Sequence, residues 1–300
     1  MHNLQNQITK YLNYCQEQKR LDSKTLKAYQ IDLKQFYSDI LTTEVNQITP
    51  DIIEKYISKL HQAYKPKTVK RKLASTKAFF RYLEYKEIIE RNPFNRIQIK
   101  FREPAILPRT IPLYIVETFL STIYTQRTTA PTTYQKRNAL RDAAIIELLF
   151  ATGIRITELC SLKPFDINLY EKTILIYGKG SKERKIQIGN DDVITILQEY
   201  TENFTYEIQA CNYFFVNQSG RPLSDQAVRR MINKYTSLAA IELHITPHMF
   251  RHTFATNCYY NGADVKILSK LLGHSKVSIT YDIYIHLFGD ALEEMRSVVD

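Results

Sequence analysis

Three hundred residues suffice for about two domains, and a hydrophobic content of 44% supplies packed cores rather than a disordered chain. No apolar run approaches the roughly 18 residues of a membrane span, Met1-His2-Asn3-Leu4 is no basic-then-apolar leader, and Cys15, Cys160, Cys211 and Cys258 form no C-x-x-C pair. The expectation is a cytoplasmic protein with reduced thiols, no membrane partner, no metal and no cofactor, whose net charge of +10 is unevenly placed: residues 1–112 hold 21 Lys+Arg against 11 Asp+Glu, residues 113–300 hold 20 against 20. A basic first half points to a polyanion, because Lys and Arg that neutralise phosphates release counterions.

The first ninety residues read as four helices. Leu4, Ile8, Leu12 and Cys15 recur at helical spacing. Ser23 is a cap for a second helix carrying Leu26, Tyr29, Leu33, Phe36 and Ile40. Thr49-Pro50 pairs a cap with proline at the first helical position, ahead of Ile53, Tyr56, Ile57 and Leu60. The fourth helix carries Val69, Leu73, Thr76, Phe80 and Leu83, and its other positions include Lys67, Lys70, Arg71, Lys72, Lys77 and Arg81. That density suits a helix laid along a nucleic-acid backbone, with Lys67, Lys70, Arg71 and Lys77 as contacts. Pro93, Pro104, Pro108 and Pro112 interrupt helix over 91–112, where Arg91, Arg96, Lys100, Arg102 and Arg109 make a basic, extended linker.

Residues 113–300 read as mixed. Helices are expected over Ile115–Tyr124, Ala139–Phe150 and Val193–Tyr200, strands over Thr173–Tyr177 and Lys185–Ile188, and a polar, Thr-rich loop over 125–137. The strands flank Gly178-Lys179-Gly180, a turn whose glycines admit a close ligand without making a nucleotide-binding loop. From Ser224 the chain is helical again, and Ser224–Leu238 carries Arg229 and Arg230. Leu287, Ala291, Leu292, Met295 and Val299 make an amphipathic tail helix.

Three further strings carry chemistry. In Ala151-Thr152-Gly153-Ile154-Arg155-Ile156-Thr157-Glu158-Leu159, Gly153 ends a helix, Arg155 opens the next, and Glu158 lies one turn on, able to orient the guanidinium. In Thr246-Pro247-His248-Met249-Phe250-Arg251-His252, a cap and proline start a helix with His248 and Arg251 at i and i+3, and its N-terminus favours a phosphate. In the third, Gly273 ends a helix and sets His274 at its exit, ahead of Tyr281 and Tyr284. The first has the plain reading of a surface ion pair, and the third those of a packed His274 and of one tyrosine among 21.

Taken together, the order Arg, Lys, His-x-x-Arg, Gly-His, Tyr resembles the tyrosine recombinase (integrase) family. The strings A-T-G-I-R-I-T-E-L, G-K-G-S-K-E-R, T-P-H-M-F-R-H-T-F-A-T and L-L-G-H-S carry the likeness through roughly 113–290, and S-K-T-L-K-A-Y-Q-I-D-L-K-Q-F extends it to the N-terminal half. The size is similar to that of compact Xer or transposon-borne members. The resemblance implies a mainly α fold with a small β-sheet: a helical, SAM-like core-binding domain over 1–90, the linker over 91–112, and an α+β catalytic domain with its tail helix over 113–300. The two domains would form a C-shaped clamp on a duplex, with half-site readout by the N-terminal helices and by Ser224–Leu238 through Arg229 and Arg230.

It also implies roles. Arg155 and Arg251 would clamp the scissile phosphate, His248 assist proton transfer at the nucleophile, Lys179 protonate the departing 5′ oxygen, His274 hydrogen-bond the phosphate, and Tyr284 attack phosphorus. Tyr284, ten residues after His274 and followed by Ile285-His286, fits the family's spacing; Tyr281 does not. The implied activity is site-specific recombination of double-stranded DNA through a 3′-phosphotyrosyl intermediate and a Holliday junction, by a homo-oligomer that is tetrameric in the synapse. A second recombinase or an accessory DNA-bending protein is a further candidate partner. A type IB topoisomerase-like enzyme, a DNA-binding protein with a dead site and a metal nuclease are the rival readings.

Overall fold

The computed structural model describes residues 3–40, 42–98, 109–178, 183–274, 276–278 and 280. The chain folds as two compact units, Met1–Ala105 and Ile106–Asp300. The first contains helices α1 (Leu4–Glu17), α2 (Ser23–Asp39), α3 (Pro50–Ala63) and α4 (Pro66–Tyr85). Asn3, Asp22 and Thr49 each cap the following helix through a side-chain oxygen that accepts a backbone N–H. The cap of α2 is thus Asp22, one residue before the expected Ser23, which is the first helical residue. The core of this unit is aromatic: Tyr11, Phe36, Phe79 and Phe80 are fully buried, with Phe36 edge-on to Tyr56 and to Phe80. Leu12 is only partly buried against this core, whereas Tyr11 is 1% exposed. Phe94, on a 3-10 turn over Pro93–Arg96, packs into the same core.

The second unit is built around α6 (Thr133–Thr152), whose C-terminal half is buried on nearly every side, including Ala143, Ala144, Ile146, Leu148 and Leu149. A helix apolar all round must be enclosed by neighbours, and α5 (Leu113–Thr129), α8 (Asp191–Asn203) and α11 (Pro247–Tyr260) supply them. Strands β1 (Ile167–Asn168), β2 (Thr173–Tyr177) and β3 (Glu183–Gln187) form an antiparallel sheet in that order, with Tyr177 opposite Glu183 and Thr173 opposite Gln187. The short helices α7 (Ile156–Ser161) and α9 (Thr205–Cys211), then α10 (Asp225–Leu238) and α12 (Val265–Leu272), with 3-10 turns over Val45–Gln47 and Pro164–Asp166, complete the described elements.

The expected loop over 125–137 is a correction. Helix α5 runs through Thr129 and α6 starts at Thr133, leaving a short corner. The threonines that argued for a loop are satisfied inside the helix: the Thr129 and Thr128 hydroxyls donate to the Thr125 carbonyl at 2.7 and 3.0 Å. Arg127 pairs with Glu199 of α8, and Arg137 pairs with Glu207 of α9 at 2.6 Å, so tertiary ties outweigh a weak local propensity.

Candidate active site

Three arginines from three elements converge on the end of one short helix. The last turn of a helix leaves carbonyls without intrahelical partners and carries a partial negative charge. At the end of α12 the Leu271 carbonyl accepts from Arg184 Nε at 2.7 Å, the Leu272 carbonyl accepts from Arg251 Nη2, and the Gly273 carbonyl accepts from Arg155 Nη2 at 3.0 Å. Three consecutive carbonyls are thereby taken by three guanidiniums.

Two glycine corners make this possible. Gly153 caps α6 at φ +59° and Gly273 caps α12 at φ +62°, the left-handed region that a side chain resists. Neither site has room for a Cβ: one on Gly153 would lie 2.4 Å from the Phe254 ring, and one on Gly273 would lie 2.9 Å from Arg184 Nη1. The Gly153 carbonyl accepts from Arg251 Nη1 at 2.9 Å, so this guanidinium joins the two corners. Arg251 is 6% exposed, whereas His248, one turn earlier on α11, is exposed. Thr246 stands at the N-cap of α11 as expected, but its hydroxyl makes no cap bond.

Arg155 is the N-cap of α7, at the corner that Gly153 turns. The expected Arg155–Glu158 pair is present at 2.8 Å, and Glu158 also accepts the Arg155 backbone N–H at 2.8 Å. The remaining contacts of this buried carboxylate come from Arg184, which grips both oxygens at 3.0 and 2.7 Å. Burial alone would raise the Glu158 carboxyl, but the hydrogen bonds and charges of Arg184 and Arg155 hold it below the usual range. Arg155 keeps about a third of its side chain open, while Arg184 keeps 11%.

His274 follows Gly273, and its Nδ1 lies 2.7 Å from the buried Thr280 hydroxyl. Burial, then the charges of Arg251 and Arg155, lower its pKa to about 4, so the ring is neutral at pH 7. His252 is lowered to about 4 by burial and then by His248 and Arg251. Among the described residues its buried Nδ1 has no hydrogen-bond partner.

The structure thus brings together Arg155, Arg251 and His274 of the expected set, with His248 on the α11 turn that carries Arg251. Lys179, in the connection between β2 and β3, and Tyr284, with the neighbouring Tyr281 and the tail helix, lie outside the described residues. Arg184 was missed as a site residue, although it is the last letter of G-K-G-S-K-E-R. Its signal was an arginine on an outgoing strand, legible only once the strand's neighbours are known. Among the described residues no group of three His, Cys, Asp or Glu could hold a metal, and no helix is long and apolar enough to cross a membrane.

The basic residues proposed for DNA are of two kinds. Lys67 and Lys70 are exposed on α4. Arg71 is also exposed, yet one guanidinium nitrogen is committed to the buried Asp32, and Lys77 Nζ lies 5.7 Å over the Phe94 ring. Lys72, counted among the basic positions of that helix, is buried: its Nζ donates to Asp32 at 3.2 Å and to Gln35. On α10, Arg229 is half-buried and Arg230 is exposed.

A model of the Phage integrase family matches residues 122–290, and one of the phage integrase N-terminal SAM-like domain matches 8–87. A tyrosine recombinase of Agathobacter rectalis is 64% identical over 96% of this chain and 94% of its own. The tyrosine recombinase XerC of Thermodesulfovibrio yellowstonii is 34% identical over 96% of this chain and 93% of its own. Among solved structures, the XerH site-specific recombinase bound to palindromic difH substrate in a post-cleavage complex superposes with a TM-score of 0.75. It is 22% identical, covering 95% of this chain and 83% of that one, a likeness of fold.

Proposed function

Because this chain belongs to the phage integrase family of tyrosine recombinases, we propose that its arginine cluster holds a scissile DNA phosphate for attack by Tyr284. The carrying observation is the convergence of Arg155 and Arg251 beside His274 at the two glycine corners. Guanidiniums suit that task because each offers planar, paired donors and stays charged. Fixing them on backbone carbonyls beforehand avoids reorganisation when charge builds on the phosphate.

In the proposed reaction the Tyr284 phenolic oxygen bonds to phosphorus and the bond from phosphorus to the 5′ oxygen breaks. His248 assists removal of the phenolic proton, and Lys179 supplies the proton that leaves a free 5′ hydroxyl. A phenol with a pKa of about 10 is a weak nucleophile, and the cationic surroundings favour its ionised form. The neutral His274 ring, held by Thr280, donates a hydrogen bond to the phosphate. The 3′-phosphotyrosyl ester conserves the energy of the broken bond, so rejoining to a 5′ hydroxyl from a second site requires no nucleotide. Two such exchanges, through a Holliday junction and within a protein tetramer, recombine two sites. Double-stranded DNA is the proposed partner, with Lys67, Lys70 and Arg230 as phosphate contacts. A bonded Arg71 and a half-buried Lys77 and Arg229 are weaker candidates.

The test is covalent trapping. The protein is incubated with a nicked half-site in the presence of chelator, and the linked peptide is mapped. An adduct at Tyr284 that Tyr284→Phe abolishes while DNA binding persists is the expected result. An adduct at Tyr281, none at all on a functional site, or loss of cleavage to the chelator overturns the proposal.

A further inference from the structure

The third arginine has no part in that scheme, and its environment assigns it one. We propose that Arg184 is a positioning residue for strand cleavage, acting through Glu158 on Arg155. This rests on the recombinase reading above.

Arg184 spends its fork on the protein. Nη1 and Nη2 hold the two oxygens of Glu158, and Nε holds the Leu271 carbonyl. All three of its nitrogens thus bond to protein oxygens, two of them to the carboxylate that also holds Arg155. The same Glu158 carboxylate orients Arg155 at its side chain and at its backbone N–H. A buried carboxylate facing Arg155 alone would draw that guanidinium inward and cancel its charge. Shared with Arg184, the carboxylate is neutralised from the opposite side, and Arg155 keeps charge and exposure for a ligand.

The geometry is specific to arginine. Three donors in one plane reach a carboxylate and a carbonyl together, which a lysine ammonium does not reproduce. Gly273 belongs to the same design, since a Cβ there would meet Arg184 Nη1 at 2.9 Å. Arg184 also stands on β3, one residue past the opening Glu183, and so ties the strand that follows the Lys179 segment to the α7 corner and to the end of α12.

The test uses the full-length protein and three half-sites: an ordinary scissile phosphate, a methylphosphonate at that position, and a 5′-bridging phosphorothiolate. The methylphosphonate carries less charge on its non-bridging atoms and so depends less on Arg155. The phosphorothiolate has a leaving group that needs no protonation and so depends less on Lys179. Arg184→Lys and Arg184→Gln should slow single-turnover adduct formation on the ordinary phosphate by about 100-fold, the cost of a misplaced catalytic group. Half-site affinity should be unchanged. The defect should shrink on the methylphosphonate, persist on the phosphorothiolate, and largely vanish when Arg184→Lys is added to Glu158→Gln. Should Arg184→Gln fail to fold, Arg184→Lys carries the same comparison.

An equal defect on all three substrates marks a merely structural role and overturns the inference. Rescue by the phosphorothiolate overturns it by moving the action to the leaving group. Wild-type rates in either variant overturn it while leaving the recombinase reading intact. Absence of any adduct from the wild-type protein overturns both.

Discussion

The N-terminal helices and the arginine corner of the second unit use positive charge in opposite ways. In residues 1–112 the cations outnumber the acids, and on α4 they divide between an outward set, Lys67 and Lys70, and an inward one, Lys72 with part of Arg71, anchored on Asp32. Residues 113–300 carry as many acids as bases, yet three guanidiniums meet there on three successive carbonyls. Excess charge attracts a polyanion over many ångströms and is screened by salt. Charge fixed on backbone dipoles adds little to net attraction but is in place when a transition state needs it. Net charge therefore points to the partner, and charge placement to the chemistry.

The sharpest way to break this comparison is Arg251→Ala. Loss of a preorganised donor to a developing charge should slow adduct formation by about 1,000-fold or more. Leaving the Gly153 and Leu272 carbonyls unpaired should also cost about 2–4 kcal/mol of stability. Single-turnover kinetics and urea unfolding read the two effects, and a variant that cleaves normally would dissolve the contrast.

On the N-terminal side the largest effect should come from Asp32→Ala. It leaves the charge of Lys72, which is 3% exposed, without its carboxylate and removes an acceptor of Ser75 and Arg71, a loss of about 3–5 kcal/mol. Thermal denaturation checks it. Retained stability would mean that Lys72 reaches solvent and belongs to the outward set.

Acid should expose the opposite trait of the arginine corner. The His252 and His274 pKa values are depressed to about 4, so the unfolded chain, titrating near 6.5, binds more protons than the folded one between those values. Their contribution is complete above about pH 6.5 and is lost as pH falls toward 4. After allowance for their partial exposure the combined loss is about 2 kcal/mol. Denaturant unfolding at pH 7 and pH 4.5, with and without His252→Gln, measures it, and a pH-independent difference contradicts the assignment.

The smallest effect should come from Lys67→Gln and Lys70→Gln. Each should lower the salt dependence of half-site binding by about one ion, while the cleavage rate of the bound complex stays the same. A slower bound-state rate would mean that the outward lysines take part in more than attraction.

Much of this was legible in the chain. The capping pattern at Thr49-Pro50, and the apolar spacing of Val69, Leu73, Thr76, Phe80 and Leu83, determine their helices, because these signals act within a turn or two of backbone. The turn at Gly153, the Arg155–Glu158 pair and the Gly273 corner were readable for the same reason. What sequence could not show was whatever depends on a distant neighbour. The threonine-rich stretch after Tyr124 became helix because α8 and α9 hold Arg127 and Arg137. Lys72 looked like its exposed neighbours until Asp32, forty residues away, met it in the core. Arg184 lies 26 residues from Glu158 and 87 from the Leu271 carbonyl. Tertiary packing alone decided that it would be the third arginine, because a hydrogen bond is settled by positions in space, and local patterns stop at the next turn.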